Sequence, residues 1–443
     1  MSNDNVEAAR YAGQLDPDFG IEGKTEIEQA GGFYGAAMGL DSLYAVGFAG
    51  GPNYKKFVVS RLDSSGQPDL SFGSSGSAID FFQDQGVSTG RGVIVTSDNK
   101  LIVAGKFGWY FDGIGFARFN AENGTLDDEF SADGRVVHNL FAAKESGAEN
   151  VRAVENFAFP DTRSSGAGMG KGIVLPDGKI IFILEDFVPA PVGYSIIARF
   201  QKSPDELDRR FGGVGFVRVT HPDYKNGLTQ VLSVGAQRDE KYVACGLVDN
   251  GGSAVKAMLV RYDNDGSLDD SFGESGFTVI EPLPNEPQAS ARLKAVVQQS
   301  NGNIIAVGSV GNDYGLLVNV DARGKLNENF NEGRPVYFKI GPYDTSFESV
   351  DLQADGKIVV AGWAGESAGA RNVNMIVMRY LEDGKADLSF GTNNYGYVQP
   401  DQRPCVGWGV LVDQRDNKIL VVGELLLPGP GLPDHGMVWR LLS

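Results

Sequence analysis

The stretch Gly266 to Phe277, GSLDDSFGESGF, recurs in seven versions along the 443-residue chain, and its spacing decides the fold. Each copy is anchored by a phenylalanine, and successive anchors are 53, 58, 81, 61, 58 and 60 residues apart. The anchors are Phe19, Phe72, Phe130, Phe211, Phe272, Phe330 and Phe390. A second glycine follows each anchor three to six residues later. Because glycine suits positive φ, each copy predicts a polar turn, one apolar plug and a second turn before a strand.

Two other patterns share this period. One is a turn followed by a β-rich run, as in ADGKIVVAG (354–362) and RDNKILVVG (415–423). The other is an alternating run that ends near an arginine, as in IGFARF (114–119) and MLVRY (258–262). Short β-branched and aromatic runs bounded by Gly, Asn and Asp are typical of strands joined by tight turns. Four such runs per unit predict an all-β, seven-bladed β-propeller of four-stranded antiparallel blades.

The two ends of the chain complement each other in this arrangement. Segment 15–28 is a final strand without a blade, and 437–443 ends a blade without its final strand. We expect the N-terminal strand to complete the last blade and close the ring, because closure removes an exposed sheet edge. The predicted organisation is a polar leader, disordered in part, at 1–14 and a single domain at 15–443. Its blades are expected at about 29–82, 83–139, 140–219, 220–281, 282–340, 341–399 and 400–443 plus the closing strand.

The repeats also predict a structural ion pair in each unit. A strand arginine stands eight or nine residues before the motif aspartate in five units, and in another unit Asn319 and Asn327 replace both. Since removing one partner of a buried pair costs roughly 3–5 kcal/mol, replacement of both together is expected of residues in contact. Arg440 then needs Asp16, across the ring closure. The remaining predicted pairs are Arg61–Asp69, Arg118–Asp127, Arg199–Asp208, Arg261–Asp269 and Arg379–Asp387.

These residues resemble the bacterial delta-60 repeat family, whose units run roughly DGKILVAG, then ARY, then DGSLD.SFG..G. The closest stretches are MLVRYDNDGSLDDSFGESGF (258–277) and ADGKIVVAG (354–362), and the resemblance extends from Leu15 to Leu442. It implies a propeller-like fold similar to NHL-type repeats. It implies little about activity, because the motif residues of the family are structural. The departures are Asn319 and Asn327, a weak first unit, and a long insertion at 140–167.

Composition limits the partners of the protein. The formal net charge is −18, which disfavours nucleic acids and anionic membranes. No apolar run approaches the roughly 20 residues of a membrane span, and the N-terminus lacks the apolar segment of a secretory signal peptide. We therefore expect an acidic monomer with no nucleic-acid partner and no membrane insertion. The expected location is cytoplasmic by default, with leaderless export left open.

The connections between strands predict where a ligand binds. The short DGK turns and motif turns are expected on one face, and the variable connections on the other. Aromatic residues and carboxylates concentrate in the variable connections, which is typical of protein or carbohydrate recognition. The alternative is that these aromatic side chains cap the ends of the blades. The candidate ligand-binding residues are Trp109, Tyr110, Asp112, Tyr194, Tyr224, Tyr314, Tyr343 and Trp363.

Several cations are expected near the mouth of the central channel, at the start of the inner strands. Together they could bind a small anion; the alternative is that carboxylates of nearby loops neutralise them one by one. The residues are Arg91, Lys171, Arg292 and Lys294.

The sequence contains no catalytic signature, and we assign no catalytic residue. The three histidines lack metal-ligand spacing, and the two cysteines, Cys245 in a strand and Cys405 in a loop, predict no disulfide framework. The turns DNDGSLDD (263–270) and NAENGTLDD (120–128) resemble calcium loops but lack the distal glutamate of an EF-hand. We therefore expect no metal site and no cofactor, with calcium as the alternative.

The favoured function is a non-enzymatic binding or scaffold protein that recognises a protein or a carbohydrate through the variable-loop face. The alternative is a hydrolase or lyase with a metal-assisted site at the mouth of the central channel, an analogy drawn from the fold alone.

Overall fold

The computed structural model describes most of the chain, and the described residues form 28 β-strands and two short 3-10 turns, at Pro222–Tyr224 and Asn331–Gly333. The all-β prediction is confirmed. The described residues are 10–51, 54–83, 86–108, 113–138, 173–175, 177–185, 193–204, 206–224, 227–249, 251, 254–283, 288–311, 313–366, 372–428 and 434–443.

The strands fall into units of four, numbered here in chain order. Unit one contains β2 (Gly32–Met38), β3 (Ser42–Ala49), β4 (Lys56–Asp63) and β5 (Ser77–Asp80). Unit two contains β6 (Ser88–Val95), β7 (Lys100–Phe107), β8 (Gly113–Asn120) and β9 (Arg135–His138). Unit three contains β10 (Ile173–Val174), β11 (Ile180–Glu185), β12 (Gly193–Phe200) and β13 (Phe216–Val219). Unit four contains β14 (Leu228–Ala236), β15 (Tyr242–Asp249), β16 (Lys256–Tyr262) and β17 (Phe277–Ile280).

The remaining units follow the same plan. Unit five contains β18 (Ala291–Gln298), β19 (Ile304–Val310), β20 (Tyr314–Val320) and β21 (Val336–Phe338). Unit six contains β22 (Asp344–Leu352), β23 (Ile358–Gly365), β24 (Val373–Tyr380) and β25 (Tyr397–Val398). Unit seven contains β26 (Cys405–Val412), β27 (Ile419–Leu425) and β28 (His435–Leu441), and its fourth strand is β1 (Lys24–Ile27).

Strands within each unit are antiparallel neighbours in the predicted order, but the units make six sheets rather than seven separate ones. Units three and four share an eight-stranded sheet through a two-residue parallel contact, in which Gly193 faces Leu228 and Tyr194 faces Thr229. The reason is local: β13 pairs only with residues 195–198 of β12, so the first two residues of β12 remain open to β14.

The N-terminal segment completes unit seven, as the sequence predicts. β1 pairs with β28 over four residues, from Lys24 opposite Trp439 to Ile27 opposite Gly436. The expected strand at 15–28 is shorter than predicted, because residues before Lys24 form the motif turns. Residues 10–14 of the expected leader also belong to the fold: the Gly13 amide donates to the Leu442 carbonyl at 2.9 Å. Residues 1–9 lie outside the described residues.

One of the two cysteines lies elsewhere than expected. Cys405 was predicted in a loop, but it is the first residue of β26 and is fully buried. Pro404 ends the preceding connection, and the following alternation of small and apolar residues continues as the first strand of unit seven. Cys245 is buried in β15, and neither cysteine forms a disulfide bond.

The predicted arginine–aspartate pairs are present in the structure. Arg440 Nε lies 2.8 Å from Asp16 Oδ2, and its guanidinium carbon lies 4.5 Å from the centroid of the Phe19 ring. In unit five, the Asn327 amide donates to Asn319 Oδ1 at 3.1 Å instead. The other pairs are Arg61–Asp69 (2.8 Å), Arg118–Asp127 (2.7 Å), Arg199–Asp208 (3.0 Å), Arg261–Asp269 (2.7 Å) and Arg379–Asp387 (2.8 Å).

A lysine that sequence reasoning missed joins this pair in four units. It is the last residue of the DGK-type turn, and in unit seven Lys418 Nζ lies 2.9 Å from Asp16 Oδ2. The contact brings the DGK turns beside the motif turns, on one face as predicted. In unit five the equivalent residue is Asn303, so all three charges are absent there together. The other pairs are Lys100–Asp127 (3.0 Å), Lys179–Asp208 (3.3 Å) and Lys241–Asp269 (2.7 Å).

The anchor phenylalanine then joins one unit to the next. The ring of Phe19 packs on Gly66 of unit one, whose φ is +81° and where a Cβ atom would lie 2.6 Å from the ring. The Gly20 amide donates to the Ser65 carbonyl at 2.6 Å. The same ring-on-glycine contact occurs at Phe72/Gly124, Phe211/Gly266, Phe272/Gly324, Phe330/Gly384 and Phe390/Gly13. We call the aspartate, arginine, phenylalanine and following turn the clasp.

Apolar side chains fill the space between neighbouring units, from each unit to the next and from unit seven to unit one. The last-to-first cluster includes Phe19, Ile27, Phe33, Leu420 and Val438, all buried. Since burying such a side chain contributes roughly 1.5–3 kcal/mol, these clusters dominate the stability of the fold. Within the described residues, no helix is long and apolar enough to cross a bilayer.

We predict that Asp16→Asn destabilises the protein by roughly 3 kcal/mol, because it leaves Arg440 and Lys418 without their shared carboxylate. Urea unfolding measures the change. The control is Asp18→Asn, since Asp18 is 63% exposed and its pair with Arg10 is expected to contribute little. Equal effects of the two substitutions would contradict a stabilising role for the clasp.

We predict that the Asp208 clasp weakens in acid. Burial opposes ionisation of Asp208, but hydrogen bonds from Arg210 and the charge of Arg199 outweigh it and lower the pKa from 3.8 to about 2. Because the pKa is lower in the folded state, this stabilisation is present above about pH 4 and is lost as the pH falls towards 2. The gap in unfolding free energy between wild type and Asp208→Asn should therefore shrink over that range. A difference in unfolding free energy that does not change with pH would contradict the lowered pKa of Asp208.

Candidate ligand-binding site

The first strands of all seven units surround one cavity of about 400 Å³, which we call the inner-strand cavity. Its wall consists mainly of glycine and small apolar residues, such as Gly92, Val234 and Ala295. Polar groups enter it from Arg91 and Asp351. A volume of this size falls within the range of small-molecule sites.

Each first strand that is described over its full length contains a β-bulge at the same place. The bulge residue is followed by a small residue, as in Glu348–Ser349 and Trp408–Gly409. These small residues let adjacent units approach closely: a Cβ at Gly35 would lie 2.9 Å from the Arg91 carbonyl oxygen. The six bulge residues, here called the bulge layer, are Tyr34, Arg91, Leu232, Lys294, Glu348 and Trp408.

A glycine on the second strand makes the bulge possible. In unit six, a Cβ at Gly362 would collide with the Ser346 carbonyl oxygen, just before the bulge at Glu348. This glycine ends the AVAG-type run that the sequence repeats. The same collision would occur at Gly47, Gly105, Gly246, Gly308 and Gly423.

Units five and six place a buried ion pair in the bulge layer. Lys294 Nζ lies 2.6 Å from Glu348 Oε1 and 2.8 Å from Ser346 Oγ. The same carboxylate oxygen accepts hydrogen bonds from Ser346 Oγ at 2.7 Å and from Trp363 Nε1 at 3.0 Å. Burial lowers the pKa of Lys294, and the carboxylate of Glu348 opposes that shift. The pair is therefore electrically balanced and held in place by two further donors.

Aromatic rings surround this pair on the side of units seven and one. Trp363 and Trp408 belong to one apolar cluster, against which Tyr34 packs. The Tyr34 and Trp408 ring centroids are 6.5 Å apart, and Phe48 stacks on Tyr34 at 5.5 Å. The Arg91 guanidinium lies 4.1 Å from the centroid of the Tyr34 ring. Tyr34 is half-buried and also lines the inner-strand cavity, so it connects the cluster with the cavity.

Two polar atoms in this region have no hydrogen-bond partner within the described part of the chain. They are Glu348 Oε2 and Trp408 Nε1, in side chains that are 1% and 4% exposed. Trp363 donates to Glu348 and belongs to the same apolar cluster as Trp408. The first strands of the two units are also bonded beside these residues, where the Val410 amide donates to Ser349 Oγ at 3.1 Å. An unsatisfied buried polar group costs roughly 1–3 kcal/mol, so two of them require an explanation.

The predicted aromatic residues that the structure describes belong to units three, four, five and six. Trp109, Tyr110 and Asp112 lie outside the described residues. Tyr194, Tyr224 and Tyr314 each contact a side chain near their own unit: Arg218, His221 and Lys339 respectively. Tyr343 is 43% exposed, beside unit six. Only Trp363 enters the bulge layer, through its bond to Glu348.

The predicted cations are also in different environments. Lys294 is ion-paired with Glu348 and Arg91 stacks on Tyr34, and both are buried. Arg292 is half-buried in β18. Lys171 lies outside the described residues. The pairing of Lys294 follows the alternative in which a carboxylate neutralises the cation, although that carboxylate belongs to a strand rather than to a loop.

Sequence reasoning missed Tyr34, Ser346, Glu348 and Trp408. A signal for three of them exists in the repeats: a large residue, then a small one, then an apolar one, at a fixed distance before the DGK-type turn. Examples are Glu348–Ser349–Val350 and Trp408–Gly409–Val410. The partners of Glu348 could not be predicted, because they come from different strands.

The described residues contain no group of three or more His, Cys, Asp or Glu side chains that could hold a metal ion. In the calcium-like turn at 263–270, Lys241 pairs with Asp263 at 2.9 Å and with Asp269 at 2.7 Å. Asp265 Oδ1 accepts hydrogen bonds from the Ser267 amide and hydroxyl. These carboxylates therefore hold the turn together.

Three stretches of the chain match the family model described as "Domain of unknown function (DUF5122) beta-propeller", at residues 96–130, 237–272 and 353–390. Each stretch ends at an anchor: Phe130, Phe272 or Phe390. The chain has a β-propeller fold. The match supports a family of β-propeller repeats, but it does not identify that family as the delta-60 repeats. None of the curated proteins compared with the chain matches its sequence.

Solved structures with similar folds are distant in sequence. The extracellular domain of the hybrid two-component system BT4673 from B. thetaiotaomicron is 9% identical with a TM-score of 0.44; the match covers 94% of this chain and 39% of that chain. Polysaccharide lyase Uly1 is 9% identical with a TM-score of 0.43, and the match covers 100% of this chain and 94% of that chain. Chaetomium thermophilum Sqt1, bound to the N-terminus of ribosomal protein L10, is 12% identical with a TM-score of 0.45. The match covers 94% of this chain and 98% of that chain.

This chain thus spans 39% of the length of the BT4673 domain. Because all three TM-scores are below 0.5, we take no argument about function from these proteins.

We predict that Lys294→Met destabilises the protein by roughly 3 kcal/mol, because it leaves the Glu348 carboxylate buried without its cation. The double variant Lys294→Met/Glu348→Gln should recover part of that loss, which denaturant unfolding of a double-mutant cycle measures. The control is Lys339→Met, which removes a partly exposed pair with Asp313 and should destabilise the protein much less than Lys294→Met. Additive effects of Lys294→Met and Glu348→Gln on the unfolding free energy would contradict the ion pair between Lys294 and Glu348.

Proposed function

We propose that the protein is a non-enzymatic binding protein that holds its ligand at the bulge layer, at the end of the inner-strand cavity nearest the variable connections. The ligand is a protein segment or a carbohydrate. The observation that carries the proposal is the pair of unsatisfied buried atoms, Glu348 Oε2 and Trp408 Nε1. A ligand that bonds to both would recover the free energy that they cost the folded protein.

The surrounding side chains support this proposal. Trp363, Trp408 and Tyr34 offer large ring surfaces, which contribute strongly to recognition. The Lys294–Glu348 pair fixes the carboxylate on one oxygen and leaves the other available. A preorganised group of this kind loses little entropy on binding.

We also propose that the seven units close into a seven-bladed ring of one domain, residues 15–443, as expected of the delta-60 repeat family. Three observations support the ring: the pairing of β1 with β28, the apolar cluster between units seven and one, and the contribution of every first strand to one cavity. In such a ring the bulge layer surrounds the axis, so one ligand can touch several units.

We predict that the full chain retains ligands on an array of glycans and peptides, and that Trp408→Phe weakens this binding. The substitution keeps an aromatic side chain but removes the indole N–H, together with part of the ring volume. Surface-captured wild type and variant are applied to the same array, and retention is measured for each spot.

Arg323→Ala is the matched control, since Arg323 is 76% exposed in a hairpin turn of unit five and should leave retention unchanged. An array that retains nothing, or binding that Arg323→Ala removes and Trp408→Phe does not, would overturn the proposal. Chemical conversion of a retained glycan would favour the hydrolase or lyase alternative.

A further inference from the structure

We infer that the ligand of the bulge layer is a neutral, hydroxyl-bearing ring, such as a hexose unit of a carbohydrate. This inference rests on the proposed function, because it names the ligand of the same site. It follows from three properties of the site: its charge balance, the kinds of polar atom left unsatisfied, and the aromatic surfaces beside them.

The charge balance disfavours an ionic ligand. The carboxylate of Glu348 is already neutralised by Lys294 at 2.6 Å, so a cationic ligand would have to compete with a buried ammonium group. An anionic ligand would meet the unsatisfied oxygen of that carboxylate at close range and be repelled. A neutral ligand avoids both costs, which are large where water is excluded.

The unsatisfied atoms require a ligand that both donates and accepts hydrogen bonds. Glu348 Oε2 can only accept a hydrogen bond, and Trp408 Nε1 can only donate one. A hydroxyl group does both, and a ring with adjacent hydroxyls offers a donor to Glu348 and an acceptor to Trp408 at once. A purely apolar ligand would leave both atoms unsatisfied.

The aromatic side chains suit the shape of such a ring. Tyr34 and Trp408 meet at an interplanar angle of 54°, which forms a corner rather than a flat stack. The C–H face of a sugar ring can lie against one of these surfaces while its hydroxyl edge reaches the polar atoms. The cavity of about 400 Å³ on which Tyr34 borders accommodates one or two such rings.

Access to the two atoms runs through Tyr34. This side chain is half-buried, packs against the Trp408 cluster on one side and lines the cavity on the other. Because neither Glu348 nor Trp408 lines the cavity, we infer that a ligand reaches the two atoms after the Tyr34 side chain changes its rotamer. At Tyr34, β2 shifts register against β3.

The test is isothermal titration of the full chain with glucose, galactose, mannose and the disaccharide cellobiose, with glucuronate as a charged comparison. We expect at least one neutral sugar to bind more tightly than glucuronate. Trp408→Phe should weaken that binding about fivefold or more, as expected for loss of one hydrogen bond in a buried site. Tyr34→Ala should speed association in stopped-flow tryptophan fluorescence.

Trp439→Phe is the matched control, because Trp439 Nε1 is satisfied by Asp401 in unit seven, outside the bulge layer. Its affinity for sugar should stay within about twofold of wild type. Sugar binding that Trp408→Phe leaves unchanged would overturn the assignment of the site, and tighter binding of glucuronate would overturn the neutral class.

The two proposals fail in distinguishable ways. If no sugar binds but an array peptide does, and Trp408→Phe weakens that peptide, the binding function stands and the sugar assignment is overturned. If neither class binds, both proposals are overturned, and ordered water is then the group that satisfies Glu348 Oε2 and Trp408 Nε1.

Discussion

The fold depends on the clasp, in which a buried aspartate holds an arginine over the anchor phenylalanine while the ring packs on a turn glycine of the following unit. The ion pair joins residues of one unit, and the phenylalanine ring packs against the next unit. An aspartate oxygen that meets an arginine and a lysine in a buried turn has a strong preference for one geometry. Repetition of that geometry lets units of different length share one packing arrangement.

Unit five shows how far the charges can be replaced. Its three positions carry Asn303, Asn319 and Asn327, and the side-chain amide of Asn327 donates to that of Asn319 without any charge. The ring of Phe330 still packs on Gly384 of the next unit. The contact between units therefore persists where the ion pair that braces it is replaced by uncharged side chains.

The candidate site depends on a second glycine and not on the clasp. In six units a glycine within the second strand admits the bulge of the first strand, and the bulge brings one side chain from each of these units into the same layer. In units one, two and four this side chain is Tyr34, Arg91 or Leu232. Only units five to seven combine Lys294, Glu348 and Trp408 with the indole of Trp363, so a repeated backbone produces one chemically distinct region.

The sequence by itself determined the all-β architecture, the seven anchors, the arginine–aspartate pairs and the pairing of the N-terminal strand with unit seven, because these are local patterns repeated at a fixed period. It predicted neither the shared sheet of units three and four nor the burial of Cys405, which depend on contacts between elements. Tertiary structure alone decided the site. Glu348 and Trp408 look like ordinary strand residues until the bulges align them beside Trp363, and their unsatisfied atoms exist only in that packing.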